Sequence, residues 1–280
     1  MARHGPKASV RGLWWIASAA VVGLMAISGA NPPSAAPPAT APPAAPPPAP
    51  QISTPPPADS PFDEPLRLMT QARKAYQDVS DYRCTFIKRE RIGSKLQAEN
   101  VIAMSVRVKP FSVYLDWKAP RDLVGQQACY VAERNNGLMQ VRATGLTGAL
   151  GFIDMKLDDA HVTENSRHSI TEAGFGHLIE RFSHCYEAAR KSGKAEVKVA
   201  QYEYNKRRCT RIELTYTDLK NLEDGVWRSV LYLDKESNLP VRCECYAPPR
   251  DKGGEGELLE MYSYVNVQLN VGLADDVFKH

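Results

Sequence analysis

The 280-residue chain contains 35 lysines and arginines against 32 aspartates and glutamates, which gives a formal net charge of +3. Arg3, Lys7, Arg11 and Asp59 account for +2 of this charge within residues 1–61, so the rest of the chain carries +1. A nearly neutral domain has no general electrostatic attraction for phosphate backbones. The composition therefore excludes a general nucleic-acid binder.

The first thirty residues have the pattern of an export signal. A basic start precedes the apolar run LWWIASAAVVGLMAI at residues 13–27, and small residues of the kind that a signal peptidase accepts follow it. The run is shorter than the roughly 20 apolar residues that a membrane span needs. We therefore expect residues 1–30 to be a signal peptide, with an uncleaved inner-membrane anchor at residues 13–30 as the alternative. Either way, the remainder is expected in the periplasm or cell envelope, and an uncleaved segment would contact the membrane.

Residues 31–61 are rich in proline and alanine and contain 14 of the chain's 21 prolines. Proline fixes φ and lacks a backbone N–H, so this composition builds neither helix nor sheet and is typical of an extended, disordered linker. The predicted organisation is a leader at residues 1–30, a linker at 31–61 and one folded domain at 62–280.

The folded domain is predicted to begin with a helix at residues 63–79, where apolar side chains recur at steps of three or four. The strand candidate DYRCTFIKRER follows at residues 81–91. Alternation with a period of two places Phe86, Lys88 and Glu90 on one face of it. We interpret this as a strand that runs from the core to a charged rim. Further strands are predicted at residues 101–110, 111–117, 126–133 and 138–143, the last after the hairpin signal Asn135-Asn136-Gly137.

The segment at residues 145–153 (GLTGALGFI) is spaced by glycines but is otherwise apolar. No Lys-Ser/Thr pair follows its glycines, so it is not a phosphate-binding loop. Two interpretations stay open. It is either a flap over a cavity, formed by Leu146, Leu150 and Phe152, or an ordinary loop packed on the core.

A second helix is predicted at residues 169–191, with an apolar stripe at helical spacing. His177 and His184 share its polar face with Glu180 and Arg181. The two histidines are separated by about 10 Å along a helix axis, which is too far for one tetrahedral metal ion. We expect a solvated face, no metal site and no cofactor. Four more strand candidates follow, at residues 209–216, 227–234, 240–247 and 257–270.

The sequence lacks the motifs of common hydrolases and nucleotide-dependent enzymes, since it has no G-x-S-x-G elbow and no P-loop. His161 and His168 lie in the polar stretch DDAHVTENSRHS, which is predicted to be an exposed loop. The sequence therefore favours a binding protein over an enzyme, and a hydrolase is the less favoured alternative. The six cysteines are compatible with free buried thiols or with one or two disulfides.

The order of these elements predicts the fold class. A helix and a strand meander are followed by a second helix and a second meander, and the strand–helix–strand alternation of a parallel sheet is missing. This pattern predicts an α+β fold in which helices pack on one curved antiparallel sheet.

Several stretches resemble an exported bacterial family whose domain has no assigned function. They are DYRCTFIKRERIGSKLQ (81–97), KPFSVYLDW (109–117), YVAERNNG (130–137), ITEAGFGHLIER (170–181) and YSYVNVQLNVGLADDVF (262–278). More distantly, the order of elements and the tail pattern N-x-x-L-x-D-x-x-F make the domain similar to the LolA/LolB-like and RseB-like lipoprotein-carrier superfamily. The resemblance implies an incomplete antiparallel β-barrel with helices on its concave side, around an apolar cavity of the kind that binds acyl chains in the carriers.

A binding protein of this kind needs no catalytic motif, because each buried CH₂ group of an acyl chain contributes about 0.8 kcal/mol. We expect the domain to hold a lipid, an acylated protein or another hydrophobic ligand. An envelope sensor or scaffold that contacts a protein partner without a small ligand is the alternative. The residues predicted to line the cavity lie on apolar faces of strands or helices: Phe86, Met104, Phe111, Trp117, Phe175 and Phe182.

Overall fold

A computed structural model of the chain describes residues 60–220, 222–251 and 253–280. The predicted export signal and all but the last two residues of the predicted linker lie outside the described residues. Within them, no helix is both long enough and apolar enough to cross a membrane.

The described part of the chain forms one large sheet and a smaller number of helices. The α-helices are α1 (Asp63–Gln77), α2 (Gly145–Gly148), α3 (Ala160–Thr163) and α4 (Phe175–Ser192). The strands are β1 (Asp81–Ile92), β2 (Lys95–Leu96), β3 (Asn100–Arg107), β4 (Ser112–Ala119), β5 (Gln127–Val131), β6 (Met139–Arg142), β7 (Ile153–Met155), β8 (Ala195–Tyr204), β9 (Arg207–Tyr216), β10 (Arg228–Asp234), β11 (Pro240–Ala247) and β12 (Glu257–Leu269). A 3₁₀ turn at Ile170–Glu172 precedes α4.

The strands of the described residues pair in the order β7-β6-β5-β4-β3-β1-β12-β11-β10-β9-β8, with β2 paired to β1. The sheet therefore consists of two antiparallel meanders, β3–β7 and β8–β12, which are joined where β1 pairs with β12. β7 and β8 stand at the two ends of this order, so the strands do not close into a complete barrel. The predicted α+β fold with an open antiparallel sheet is confirmed.

Strand β1 follows the predicted alternation. Tyr82, Cys84 and Phe86 are buried on the face that packs against α4, called the inner face below, whereas Arg83 is exposed. The register against β12 shifts between Arg83 and Thr85, which marks a β-bulge. Because bulges increase the local bend and twist of a strand, this one adds curvature at the junction of the two meanders.

Strand β8 (AEVKVAQYEY) escapes the sequence-based prediction, because its few apolar residues are small and alternate with charges. Val197 and Val199 are partly buried against the core, whereas Glu196 and Lys198 are exposed. The strand pairs with β9 at one end of the sheet. Charged side chains on such an edge hinder pairing with other chains.

Helix α4 lies on the inner face through the predicted apolar stripe. Phe175, Ile179 and Tyr186 are 1% exposed or less. Its other side meets α1, where the guanidinium of Arg73 donates to both oxygens of Glu180 at 2.8 and 2.9 Å. The helical layer is thus attached to the sheet by apolar packing and to α1 by a bidentate ion pair.

The start of α4 depends on a glycine. Gly174 has a φ of 97°, a conformation that other residues adopt only with strain. The hydroxyl of Tyr82 accepts a hydrogen bond from the backbone N–H of Phe175 at 3.1 Å, and the two rings stack with centroids 4.4 Å apart. A Cβ atom at position 174 would lie 2.3 Å from that hydroxyl oxygen. Because glycine has no Cβ atom, the Tyr82 hydroxyl fits at this position and caps the helix.

The six cysteines, all of which belong to the described residues, are free thiols. Five are buried and Cys185 is half-buried. Burial raises the pKa of the Cys84 and Cys243 thiols, so both side chains behave as small apolar groups. Of the two interpretations that the cysteine count allows, the structure has the free buried thiols.

The end of the chain packs on the outer face of the sheet. The carboxylate of Asp81 accepts hydrogen bonds from the backbone N–H groups of Val271 and Leu273 at 2.7 and 2.9 Å. Beyond this anchor, Leu273 and Phe278 are buried against Cys129 of β5. These contacts form a small second core, separate from the one that surrounds α4.

Candidate functional site

A cavity of about 590 Å³ lies between the inner face of the sheet and the chain segment 161–181. The sheet contributes residues of β1, β3, β4, β5, β6, β7 and β12. The segment contributes residues of α3, the 3₁₀ turn that follows it and the first turns of α4. The volume falls within the range of about 300–1,000 Å³ that is typical of sites for small molecules.

The sheet side of the cavity is mainly apolar. Phe86 in β1 pairs with Tyr264 in β12 and with Ile102 in β3, and Ile102 pairs in turn with Trp117 in β4. These four side chains line the cavity as one row across the sheet, and Leu178 of α4 lines the opposite side. An apolar chain therefore finds a continuous surface here.

The polarity of this wall changes two residues further along β1. Lys88, 15% exposed, donates from Nζ to Glu90 Oε2 at 3.0 Å and to Ser166 Oγ at 3.1 Å. Glu90, 4% exposed, accepts a hydrogen bond from the hydroxyl of Tyr262 at 2.5 Å. The predicted charged rim is therefore wrong. The segment that contains Ser166 covers this end of the strand and encloses its charges in the cavity lining.

Next to Glu90 in the register, Glu260 of β12 is a carboxylate with 0% exposure. One of its oxygens lies 2.9 Å from Arg167 Nε and 2.8 Å from His168 Nε2, and the other lies 2.7 Å from Arg181 Nη2. Burial by itself raises the pKa of Glu260, but the His168 hydrogen bond and the charge of Arg181 outweigh it and hold the pKa well below its usual range. Glu260 is therefore ionised, and it ties the helical layer to the sheet.

His168 bridges two carboxylates, since its Nδ1 lies 2.7 Å from Glu172 Oε2 while its Nε2 faces Glu260. Burial by itself lowers the pKa of His168, but these two hydrogen bonds raise it to about 9. The imidazole therefore carries a positive charge at neutral pH.

The second histidine of the site behaves in the opposite way. His177 Nε2 lies 3.8 Å from Glu172 Oε2. Burial lowers the pKa of His177, Glu172 and Glu260 raise it, and the charges of His168 and Arg181 lower it, so that the pKa lies below its usual value. His177 is therefore a neutral member of the lining at neutral pH.

Two sequence-based predictions about these residues are wrong. His168 does not lie in an exposed loop, and the polar face of α4 is only partly solvated because Arg181 turns inward to Glu260. His161 is exposed, as predicted. The sequence contains one indication of this site. Glu260 is a charged residue at an inward position of the strand ELLEMYSYV, and a buried charge requires a partner. Its partners come from distant parts of the chain and cannot be read from that strand.

The structure places two of the six predicted lining residues, Phe86 and Trp117, in the wall of the cavity. A hydrogen bond of 2.7 Å from the indole N–H to Asn100 Oδ1 holds Trp117 there. The other four lie in or against the packed core and are not lining residues: Met104, Phe111, Phe175 and Phe182. Apolar alternation tells which side chains point inward, but not which of them face a space that a neighbouring element leaves open.

The predicted flap residues are not in the lining either. Leu146 and Leu150 are 94% and 81% exposed, and the ring of Phe152 stacks on His280 with centroids 4.4 Å apart. The segment thus presents two leucines to solvent in the connection between β6 and β7. Closure of this segment over the cavity stays a prediction.

The contacts of the charged groups indicate what the cavity does chemically. Within the described residues, no group of three His, Cys, Asp or Glu side chains is placed to hold a metal ion. Glu90, Glu172 and Glu260 are already engaged by cations, and burial raises the pKa of the Tyr262 hydroxyl above its usual range. The cavity thus combines an apolar wall with a charged end.

The model of a family described as "Protein of unknown function (DUF1571)" matches residues 79–280. A search of curated proteins finds no match to the chain. Similar solved structures include the complex of MucA and MucB from Pseudomonas aeruginosa, at 14% identity and a TM-score of 0.45, where the match covers 78% of this chain and 61% of that one. They also include the lipoprotein LppX of Mycobacterium tuberculosis, at 13% identity and a TM-score of 0.44, with 76% and 98% covered.

A LolA superfamily protein from Nitrosomonas europaea is a further match, at 13% identity and a TM-score of 0.31, with 76% of this chain and 96% of that chain covered. It represents the superfamily to which the sequence resemblance pointed. With TM-scores below 0.5, nothing about the ligand of this chain follows from these structures.

Proposed function

This chain belongs to the DUF1571 family, and we propose that its folded domain is a cell-envelope protein that holds a lipid, an acylated protein or another hydrophobic ligand between the sheet and α4. The observation that carries the proposal is the cavity of about 590 Å³ with its apolar row across four strands. The row consists of Phe86, Ile102, Trp117 and Tyr264, which are 0–8% exposed.

Burial of an acyl chain against this wall supplies binding free energy without any catalytic group. Each methylene contributes about 0.8 kcal/mol, so eight buried methylenes contribute about 6 kcal/mol before the cost of association. Binding without catalysis is part of the proposal. The location in the envelope is proposed as well, and it rests on the export signal predicted at residues 1–30, outside the described residues.

A neutral fluorophore, N-phenyl-1-naphthylamine, tests the proposal, because its emission rises in apolar surroundings. We expect saturable binding to the purified domain and displacement by dodecanol. Val141 lines the cavity from β6, so Val141→Trp fills part of the space and is expected to weaken probe binding about tenfold or more. Native mass spectrometry of gently purified protein is an independent measurement, in which we expect a co-purifying acyl ligand.

Val271→Trp is the matched control, since Val271 is 40% exposed and does not line the cavity. Thermal unfolding identifies a Val141→Trp protein that fails to fold, and Ala128→Leu, a smaller change in the same wall, then takes its place. A wild-type domain that binds neither the probe nor any acyl competitor would contradict the proposal.

A second candidate function is docking of a protein partner without a small ligand. It is favoured by the exposure of Leu146 and Leu150, because large apolar side chains that share one exposed segment often mark an interaction surface. The same binding experiment separates the two functions. A domain that is folded but does not take up the neutral probe favours the docking function.

A further inference from the structure

The charged end of the cavity lies beside its apolar wall. Along the inner face of β1, Phe86 belongs to the apolar row, and Lys88 is the next inward residue. In the register, Lys88 stands between Tyr262 of β12 and Asn100 of β3, both of which line the cavity. A ligand that lies along the apolar row with one end toward Lys88 therefore passes from an apolar to a charged environment within one step of the strand.

We propose that the cavity selects an amphiphile with an oxyanion head, a carboxylate or a phosphate, and that Lys88 binds this head while the apolar row binds the chain. This inference rests on the proposed function and deepens it by naming the chemical class of the ligand. Its basis is the geometry of Lys88 and the charge balance of the groups around it.

The ammonium group of Lys88 has one N–H donor left for a ligand. A lysine ammonium group has three N–H donors, and two of them point to Glu90 and Ser166 at 3.0 and 3.1 Å. The guanidinium groups of Arg167 and Arg181, by contrast, are engaged by the buried carboxylate of Glu260. Lys88 therefore adjoins the apolar row and keeps one N–H donor for a ligand.

The charges at this end do not cancel. Because the pKa of His168 is raised to about 9, its imidazolium counts among the cations at neutral pH. The cluster then contains four cations against three carboxylates, namely Lys88, Arg167, His168 and Arg181 against Glu90, Glu172 and Glu260. Asp122 and Glu164 also line the cavity, but both are exposed to solvent, which screens their charges. One anionic head balances the enclosed cluster, whereas a cationic head adds to its excess charge.

A series of twelve-carbon competitors tests the inference. Dodecanoate, dodecyl phosphate, dodecanol and dodecyltrimethylammonium are each titrated against the domain loaded with N-phenyl-1-naphthylamine, which is neutral. We expect the two anions to bind about tenfold more tightly than dodecanol, as one charge-assisted hydrogen bond allows, and the cation to bind more weakly than dodecanol. Acetate and inorganic phosphate, which carry the same heads without a chain, are expected not to displace the probe.

Lys88→Met is expected to abolish the preference for anions, so that dodecanoate and dodecanol displace the probe with about equal affinity. Because this variant leaves the buried Glu90 without its cation, Lys88→Met/Glu90→Gln is measured beside it and is expected to lose the preference in the same way. Lys95→Met removes an exposed lysine of β2 and keeps the same net charge as Lys88→Met, so its preference should equal that of the wild type.

The outcomes separate the inference from the function on which it rests. Equal affinity for dodecanoate and dodecanol in the wild type overturns the inference and leaves hydrophobic binding intact. A preference that survives both Lys88 variants overturns the role of Lys88. If none of the competitors displaces a bound probe, or if the probe does not bind, the proposed function fails together with the inference.

Discussion

At the scale of single residues, the salient feature is the fully buried carboxylate of Glu260 among Arg167, His168 and Arg181. Transfer of a charge out of water costs several kcal/mol, so such a group persists only where partners compensate for it. Removal of one partner is expected to destabilise the fold far more than removal of an exposed ion pair such as Lys194–Asp218. The cluster holds the helical layer in place, and thereby the far wall of the cavity.

His168 makes stability depend on pH in a defined window. Its pKa of about 9 in the folded state exceeds the usual 6.5, so its contribution is complete below pH 6.5 and is lost as the pH rises through 9. Each pKa unit is worth about 1.4 kcal/mol, which gives a loss of at most about 3.5 kcal/mol. We expect the free energy of unfolding in urea to fall between pH 6.5 and pH 9, and His168→Gln to be less stable at pH 6.5 with a flatter profile.

His184→Gln is the control for this experiment, because His184 is exposed on α4 and lies outside the cluster. Its pH profile should follow that of the wild type. A profile of His168→Gln parallel to the wild type between pH 6.5 and pH 9 would show that His168 is not the group responsible.

At the scale of elements, the start of α4 combines a backbone requirement with a steric one. Gly174→Ala places a Cβ 2.3 Å from the Tyr82 hydroxyl in a residue with φ 97°, and we expect a loss of stability of about 3 kcal/mol or more. Gly193→Ala, at the end of the same helix with φ 64° and open space around it, is expected to cost only about 1 kcal/mol. Chemical denaturation of both variants measures the difference.

The double variant Gly174→Ala/Tyr82→Phe tests the steric part of this argument. Removal of the hydroxyl leaves the nearest ring carbon 3.6 Å from the added methyl group, an ordinary contact distance. The double variant should therefore be less destabilised than the sum of the two single variants. If the loss of stability in the double variant equals the sum of the losses in the two single variants, the clash is relieved in another way.

Strands β1 and β8 show which features of the structure the sequence pattern predicts and which it misses. The alternation in β1 correctly predicts that Tyr82 and Phe86 are buried, because a strand with one covered face imposes a period of two. The same alternation misplaces Lys88 and Glu90 at a rim, since a segment about eighty residues later in the chain covers them. Strand β8 is missed because an edge strand needs little apolar surface.

At the scale of the whole molecule, the end of the chain stabilises the sheet from its outer face. Phe278 is 1% exposed and lies against Cys129, while the guanidinium of Arg107 lies 4.9 Å from the centre of its ring. Phe278→Ala is expected to loosen this second core and to make Cys129 react with iodoacetamide about tenfold faster or more. Mass spectrometry of the labelled peptides measures Cys129 apart from the other thiols.

Leu269→Ala changes a residue that is 37% exposed on β12, and it should leave the labelling of Cys129 unchanged. Cys84 and Cys243, which belong to the main core, should stay protected in both variants. Equal labelling of Cys129 in the wild type and in Phe278→Ala would contradict the role given to this tail.

The sequence by itself determined the class of fold and the strands with two different faces, because period and turn chemistry are local properties of the chain. The family followed from the resemblance of whole stretches of sequence and not from their period. The sequence also identified Phe86 and Trp117 as inward residues, and both side chains line the cavity. Only the tertiary structure decided that Lys88, Glu90, His168, Arg181 and Glu260 meet at one end of that cavity. The physical reason is that contacts between distant segments enclose these charges. Ser166 and Tyr262 cover the Lys88–Glu90 pair, and Glu260 binds His168 and Arg181, so the fold alone brings the groups together.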